Sequence, residues 1–157
     1  MIAVIQRVNK ADVSVDGVVV GSCGKGLLVL LGVSAGDTKA DADLLIKKIP
    51  SMRIFCDADD KMNLSLNDIG GEILAISNFT LLANCRRGNR PDFTGAEKPS
   101  EASAMYDYFV MRLRETVSHV GTGVFGADMK VNMVNDGPVT IILDSESLKA
   151  PRSGGAK

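Results

Sequence analysis

A chain of 157 residues, 45% hydrophobic and 24% charged with a formal net charge of −1, has the length of one domain, and its near-neutrality gives no global attraction to nucleic acid or to an acidic membrane surface. Trp is absent and aromatics are 4%, so the core must be built from Val, Ile, Leu, Met and Ala. Cys23, Cys56 and Cys85 are odd in number and far apart, which fits reduced thiols better than a disulfide framework; no apolar run reaches the length of a membrane span and the opening segment is too short for a signal peptide, so the expected setting is the cytoplasm with no membrane partner.

Residues 2–8 are rich in β-branched side chains and open the chain as a strand. Residues 13–20 predict a hairpin, because Asp16-Gly17 is the dipeptide a two-residue primed turn requires. Residues 27–33 form an unbroken apolar run between glycines, the pattern of a strand buried on both faces. A first helix is expected over residues 39–49. Thr38 and Asp41 resemble a capping box, Ala42, Leu45 and Ile49 share a face, and Pro50 ends or kinks the helix. Short strands follow at 53–56 and 61–64 around Asp57-Ala58-Asp59-Asp60. This acidic turn lacks the glycine and the terminal glutamate of a calcium loop, so no metal is expected there.

Residues 72–77 predict a further strand, and 82–98 a long polar connection. A second helix is expected from Pro99, a favoured first-turn residue, to about 118, burying Ala102, Met105, Phe109, Leu113 and Val117. The last strands are expected at 128–135 and 139–143, and residues 146–157 as an unstructured tail behind a domain of 1–145. The fold class is therefore α+β: a single domain with a mixed, mostly antiparallel sheet and two main helices.

Four segments carry polar chemistry at strand ends or loops. Gly137-Pro138 is either a plain turn or a projecting kink whose carbonyls face a ligand. Ser77-Asn78-Phe79-Thr80 places two hydroxyls and an amide on one strand end, suited to orienting water or a carbonyl. Thr80 could act as a nucleophile only with a base, and the chain's one histidine, His119, lies outside the motif. A backbone oxyanion pocket needs no such activation. Arg86, Arg87 and Arg90 suit phosphate contact or simply a solvated loop. In residues 122–129, Phe125 could stack on a base and Met129 line an adaptable pocket, or both could be core.

Together these segments resemble the D-aminoacyl-tRNA deacylase (D-tyrosyl-tRNA deacylase) family nearly end to end. The resemblance runs through Gly26-Leu27-Leu28-Val29-Leu30-Leu31-Gly32-Val33, Lys61-Met62-Asn63-Leu64, Tyr106-Asp107-Tyr108-Phe109 and Phe125-Gly126-Ala127-Asp128-Met129. The signature Asn-x-Gly-Pro-x-Thr is intact from Asn135 to Thr140. The signature Ser-Gln-x-Thr-Leu has Asn78, one methylene shorter, in place of Gln. The resemblance implies a barrel-like sheet, a homodimer, the 3′ end of aminoacyl-tRNA as substrate, and no cofactor or metal. It implies that Gly137-Pro138 is cis and enters the partner subunit's site, where main-chain carbonyls capture the α-amino group and an L side chain is excluded. It further implies that Ser77, Asn78, Phe79 and Thr80 line the aminoacyl pocket with Met129 and Ala102, and that Phe125 lies near the terminal adenosine. Asn135 joins the substrate-binding residues, and Arg7 braces the Gly-Pro segment. Glycyl-tRNA is then a second substrate. Two alternatives stand beside this reading: a deacylase of relaxed chirality acting on L-alanyl- or glycyl-tRNA, and a non-catalytic nucleic-acid-binding module.

Overall fold

The computed structural model describes residues 1–149. β1 (Ile2–Val15), β2 (Val18–Cys23) and β3 (Gly26–Gly32) are followed by α1 (Lys39–Ser51), then by the short pair β4 (Phe55–Cys56) and β5 (Met62–Leu64). Next come β6 (Glu72–Ser77), a 3₁₀ turn (Phe79–Leu82), α2 (Pro99–Leu113), β7 (Val120–Thr122), β8 (Lys130–Asp144) and α3 (Ser145–Lys149). The main sheet runs β2-β1-β3-β6-β7, and β8 lies along the other edge of β1. The β1 pairings are antiparallel, while β3–β6 and β6–β7 are parallel. The expected α+β class holds.

The sheet curls until its ends nearly meet. A Cβ on Gly21 would lie 2.1 Å from the Thr122 carbonyl oxygen, and one on Gly121 would lie 2.3 Å from that of Ser22. Only glycine permits this approach of β2 to β7. One apolar core fills the space between the sheet and the helices, around Leu27, Val29, Leu45, Phe55, Ile73 and Phe109. A second, smaller one lies on the other face, with Val8, Val13, Leu28 and Leu74. β3, flanked by β1 and β6, is buried along almost its whole length, as its apolar run required.

Local chemistry explains most boundaries. Asp16 and Gly17 both have positive φ, +50° and +80°, and join β1 to β2 in the expected two-residue turn. The Thr38 N–H donates to the Asp41 carboxylate at 3.0 Å and starts α1. The helix runs two residues past the expected stop. Pro50 falls in its last turn, so the one bond its missing N–H would make to the Ile46 carbonyl is given up, and the Ser51 hydroxyl donates to the Lys47 and Lys48 carbonyls at 2.8 and 3.0 Å. α2 ends at Leu113 rather than near 118. Glu115 and Thr116 tighten the chain by donating to Arg112 and Leu113, three residues back, and Val117 remains buried.

Two expectations fail at the C-terminal end. The last two strands are one strand, β8, which carries Gly137-Pro138 on a bulge: Gln6 faces Thr140 and Val8 faces Asn135, so the four residues between them stand out of the ladder. Proline is tolerated because the bulge asks it for no ladder bond. The tail expected from residue 146 begins instead as α3. The Met1 ammonium donates to Asp37 at 2.6 Å and to the Ser145 hydroxyl at 2.7 Å; Ser145 and Lys149 in turn donate to the buried Asp41 at 2.8 and 2.6 Å. This network ties α3 to α1 and the start of β1. Residues 150–157 lie outside the described residues.

Candidate active site

The polar signature after β6 is placed by a parallel strand pair. Leu31 of β3 pairs with Ser77 at the carboxyl end of β6, and Asn78 N–H donates to the Leu31 carbonyl at 2.8 Å. The chain then turns into the 3₁₀ segment, and a cleft opens beside it over the ends of β3 and β6. The cleft has a volume of about 520 Å³. Ser77, Asn78, Phe79, Thr80, Ala102, Phe125 and Met129 all line it, against a floor that includes Leu28, Leu30, Leu31 and Ile76. Seven of the residues singled out from the sequence thus meet in one place.

Asn78 has a local task. Its side-chain oxygen accepts from the Thr80 N–H at 3.2 Å and from the Thr80 hydroxyl, capping the 3₁₀ turn. The Phe79 N–H, at the start of that turn, makes no hydrogen bond among the described residues and is free to bind a developing negative charge. Thr80 has no base beside it. His119 lies elsewhere, its Nε2 2.9 Å from the Ser22 carbonyl oxygen. The two carboxylates on the cleft wall, Glu97 and Asp128, are engaged already. Glu97 accepts from the Lys98 and Gly36 N–H groups at 2.8 and 3.1 Å, which hold its carboxyl below the usual range, so it is a weak base. Asp128 accepts from Lys130 Nζ with both oxygens at 2.9 Å.

Aromatic side chains frame the opening. Phe79 is 59% exposed and meets Phe93 edge to face, with ring centroids 5.1 Å apart. Tyr106 and Phe125 stand side by side at 6.3 Å. Tyr106 donates to the Ala75 carbonyl at 2.8 Å, and burial pushes its phenol up to about 12, so it serves as a neutral wall. Glu97, Tyr106 and Phe93 are not among the site residues that the sequence singles out. Tyr106 had a usable signal, since it sits beside the apolar stripe of α2 four residues after Ala102.

The second signature lies apart from this cleft. Gly137, Pro138, Asn135 and Arg7 are not among its lining residues. The Gly137–Pro138 peptide is cis and Gly137 has φ +135°. Asn135 accepts from the Val139 N–H at 3.1 Å across the bulge. Arg7, buried behind it, donates through Nε to the Asp136 carbonyl at 3.0 Å and through Nη1 to the Ile54 carbonyl at 2.6 Å, and Nε lies 3.1 Å from the Asp136 carboxylate. A projecting corner braced from behind replaces the plain turn. Arg86, Arg87 and Arg90 are exposed on a finger whose base is closed by paired backbone bonds between Asn84 and Asp92, 2.7 and 3.0 Å long. Arg86 borders a shallow hollow separate from the cleft.

The model of the family described as "D-Tyr-tRNA(Tyr) deacylase" matches residues 4–144. The chain belongs to that family. Its relatives include a D-aminoacyl-tRNA deacylase of Persephonella marina, 59% identical over 148 residues, 94% of this chain and 100% of the relative. One of Geobacter sulfurreducens is 55% identical over 147 residues, 94% of this chain and 97% of the relative. Among solved structures, one titled "c-Myc DNA Unwinding Element Binding Protein" superposes with a TM-score of 0.87 at 41% identity, covering 92% of this chain and 98% of that one. A structure described as a probable eukaryotic D-amino acid tRNA deacylase has a TM-score of 0.75 at 17% identity, covers 90% of this chain and 97% of that one, and shares the family's fold. No helix among the described residues is long and apolar enough to cross a membrane.

Proposed function

We propose that the cleft hydrolyses the ester joining a D-amino acid, or glycine, to the terminal ribose of a tRNA, and that the Gly137-Pro138 corner of a second copy of the chain closes the cleft against L-amino acids. Family membership supports the D-aminoacyl-tRNA deacylase activity. The observation that carries the finer reading is the division of the two signatures, one lining a cleft and the other held rigidly outside it. β8 supports a twofold partner. It is an edge strand with Val134 and Ile142 exposed, and its Val131 and Met133 also line the cleft, so a copy packed on β8 stands beside the opening.

In this reading the carbonyls of the corner accept hydrogen bonds from the substrate α-ammonium. The D side chain then points to open space, the L side chain meets the corner, and glycine has nothing to exclude. Water adds to the ester carbonyl carbon, the carbon–oxygen bond to the ribose breaks, and the departing 3′-oxygen takes a proton. The neighbouring 2′-hydroxyl assists this transfer, because the protein offers no base at Thr80. The Phe79 N–H stabilises the oxyanion, Thr80 and Ser77 hold the substrate, Met129 and Ala102 wall the amino-acid space, and Phe125 faces the adenosine. Arg86, Arg87 and Arg90 contact tRNA phosphates. The mechanism calls on no metal.

One structural neighbour, a protein named for binding a DNA unwinding element, favours a second reading, that of a nucleic-acid-binding module. Hydrolysis of matched D- and L-aminoacyl-tRNA separates these possibilities. Turnover of the D ester and of glycyl-tRNA, with the L ester spared, is expected. Equal rates for both hands would overturn the sieve and leave a deacylase of relaxed chirality. Salt-sensitive binding with no turnover of any ester would leave the binding module.

A further inference from the structure

Behind the aromatic wall of the cleft lies a second hollow of about 410 Å³, and the same two rings, Phe125 and Tyr106, border both. Its other side is one face of α2, where Val110, Met111 and Arg114 stand three, four and seven residues after Asp107. We infer that this hollow is the subsite for the nucleotide preceding the terminal adenosine, a cytidine in any acceptor that ends in CCA. The inference rests on the deacylase reading above and adds to it the path by which the RNA strand leaves the cleft.

The chemistry of the lining fits a pyrimidine. Phe125 offers a ring against which a base can stack, and Val110 with the exposed Met111 covers the remaining apolar surface. The Asp107 side chain is exposed at this hollow, with no side-chain hydrogen bond or ion pair among the described residues, so its acceptors are open. An acceptor is what the exocyclic amine of cytosine requires. Uracil, which presents a carbonyl oxygen at that position, meets the same carboxylate with repulsion. Arg114 spends one donor on the Val120 carbonyl at 3.1 Å, which fixes its guanidinium at the rim and leaves further N–H groups for the adjoining phosphate. A terminal adenosine against one side of Phe125 and its neighbour against the other are separated by a single side chain, as consecutive nucleotides of an unpaired strand can be.

The test compares two D-aminoacyl substrates, a minihelix ending in CCA and the bare D-aminoacyl-adenosine, which has no preceding nucleotide. In the Asp107→Ala protein KM for the minihelix should rise about tenfold, the size of one hydrogen bond to a charged group, with kcat unchanged. Turnover of D-aminoacyl-adenosine should stay at the wild-type level, which also shows that the variant is folded. Changing the penultimate cytidine of the minihelix to uridine should cost the wild-type protein a similar factor and cost Asp107→Ala nothing further. An equal effect of Asp107→Ala on both substrates, or a uridine penalty that persists in the variant, would overturn the subsite while leaving the deacylase reading intact. A wild-type protein inert toward both substrates would remove the deacylase reading and the subsite with it.

Discussion

Replacing Arg7 by Lys probes the brace behind the corner most sharply. Arg7 is 8% exposed and reaches two carbonyl oxygens in separate parts of the chain, that of Asp136 at 3.0 Å and that of Ile54 at 2.6 Å. A lysine ammonium is a single point on a flexible stem and cannot hold both. One charge-assisted bond is therefore lost, a cost of about 1.5–3 kcal/mol. The ion pair to the Asp136 carboxylate adds little, since that side chain is 36% exposed and such pairs contribute roughly 0–1 kcal/mol. The expected loss is about 2–3 kcal/mol, which a domain with roughly 5–15 kcal/mol of stability survives. Urea unfolding measures that loss. Paired D- and L-aminoacyl-tRNA assays measure what the corner does, and hydrolysis of the L ester should rise about tenfold relative to the D ester, a shift of one 1.4 kcal/mol step. If stability falls as expected while the ratio of the two rates is unchanged, the brace is structural only and the link from Arg7 to chirality is wrong.

Other expectations concern the cleft, the charge network and the arginine finger. Thr80→Val, which keeps the shape and removes the hydroxyl, should lower kcat/KM about tenfold without abolishing turnover, as loss of one positioning hydrogen bond would; a trapped acyl-Thr80 species in the wild-type protein would show nucleophilic catalysis instead. Asp41→Asn should cost about 2–3 kcal/mol at neutral pH, less than a fully buried pair because Lys149 is partly exposed. Burial raises the Asp41 carboxyl, but hydrogen bonds from Lys149, Thr38 and Ser145 outweigh it and hold the group well below the usual range. On acidification the unfolded chain therefore takes up this proton first, near the ordinary value of about 3.9, and native stability drains away below that pH. The gap in Tm between wild type and Asp41→Asn should accordingly be full near neutrality and shrink below about pH 4; a gap independent of pH would mean the carboxylate is not the stabilising species. Replacing Arg86, Arg87 and Arg90 by Gln should flatten the log–log dependence of tRNA affinity on salt by about 2, at roughly 0.7 per phosphate contact, and an unaltered slope would place the finger away from the RNA.

Much of the fold was legible because it rests on local signals. The Asp16-Gly17 turn, the double-sided burial of β3, the entry of α1 at Thr38 and the start of α2 at Pro99 each follow from a few residues whose backbone preferences agree with their surroundings. The misses have tertiary causes. Residues flanking Gly137-Pro138 look like two strands around a turn, yet β1 is long enough to pair with both and to hold the intervening residues out as a bulge. Residues 145–149 look like the start of a tail, yet Ser145 and Lys149 find partners more than a hundred residues away in sequence, at Met1 and Asp41. At the site, the hydroxyls and amide after β6 announced themselves by type. Glu97, Tyr106 and Phe93 join the cleft or its rim only because α2 and the long connection fold back over the strand ends, which spacing alone does not reveal.

The central claim is that a cleft of one protomer is completed by the corner of another, and a mixed dimer tests it most directly. One protomer carries Ala102→Phe, which fills its cleft. The other carries Gly137→Ala, whose added Cβ would lie 2.8 Å from the Val139 side chain and 2.9 Å from its backbone N at φ +135°, and so displaces the corner. In the mixed dimer the open cleft and the intact corner belong to different chains. Hydrolysis confined to the D ester, at about half the wild-type activity per dimer, is the result the account predicts. Hydrolysis of D and L esters alike, as for the Gly137→Ala protein alone, would contradict it, because the corner would then serve only its own chain.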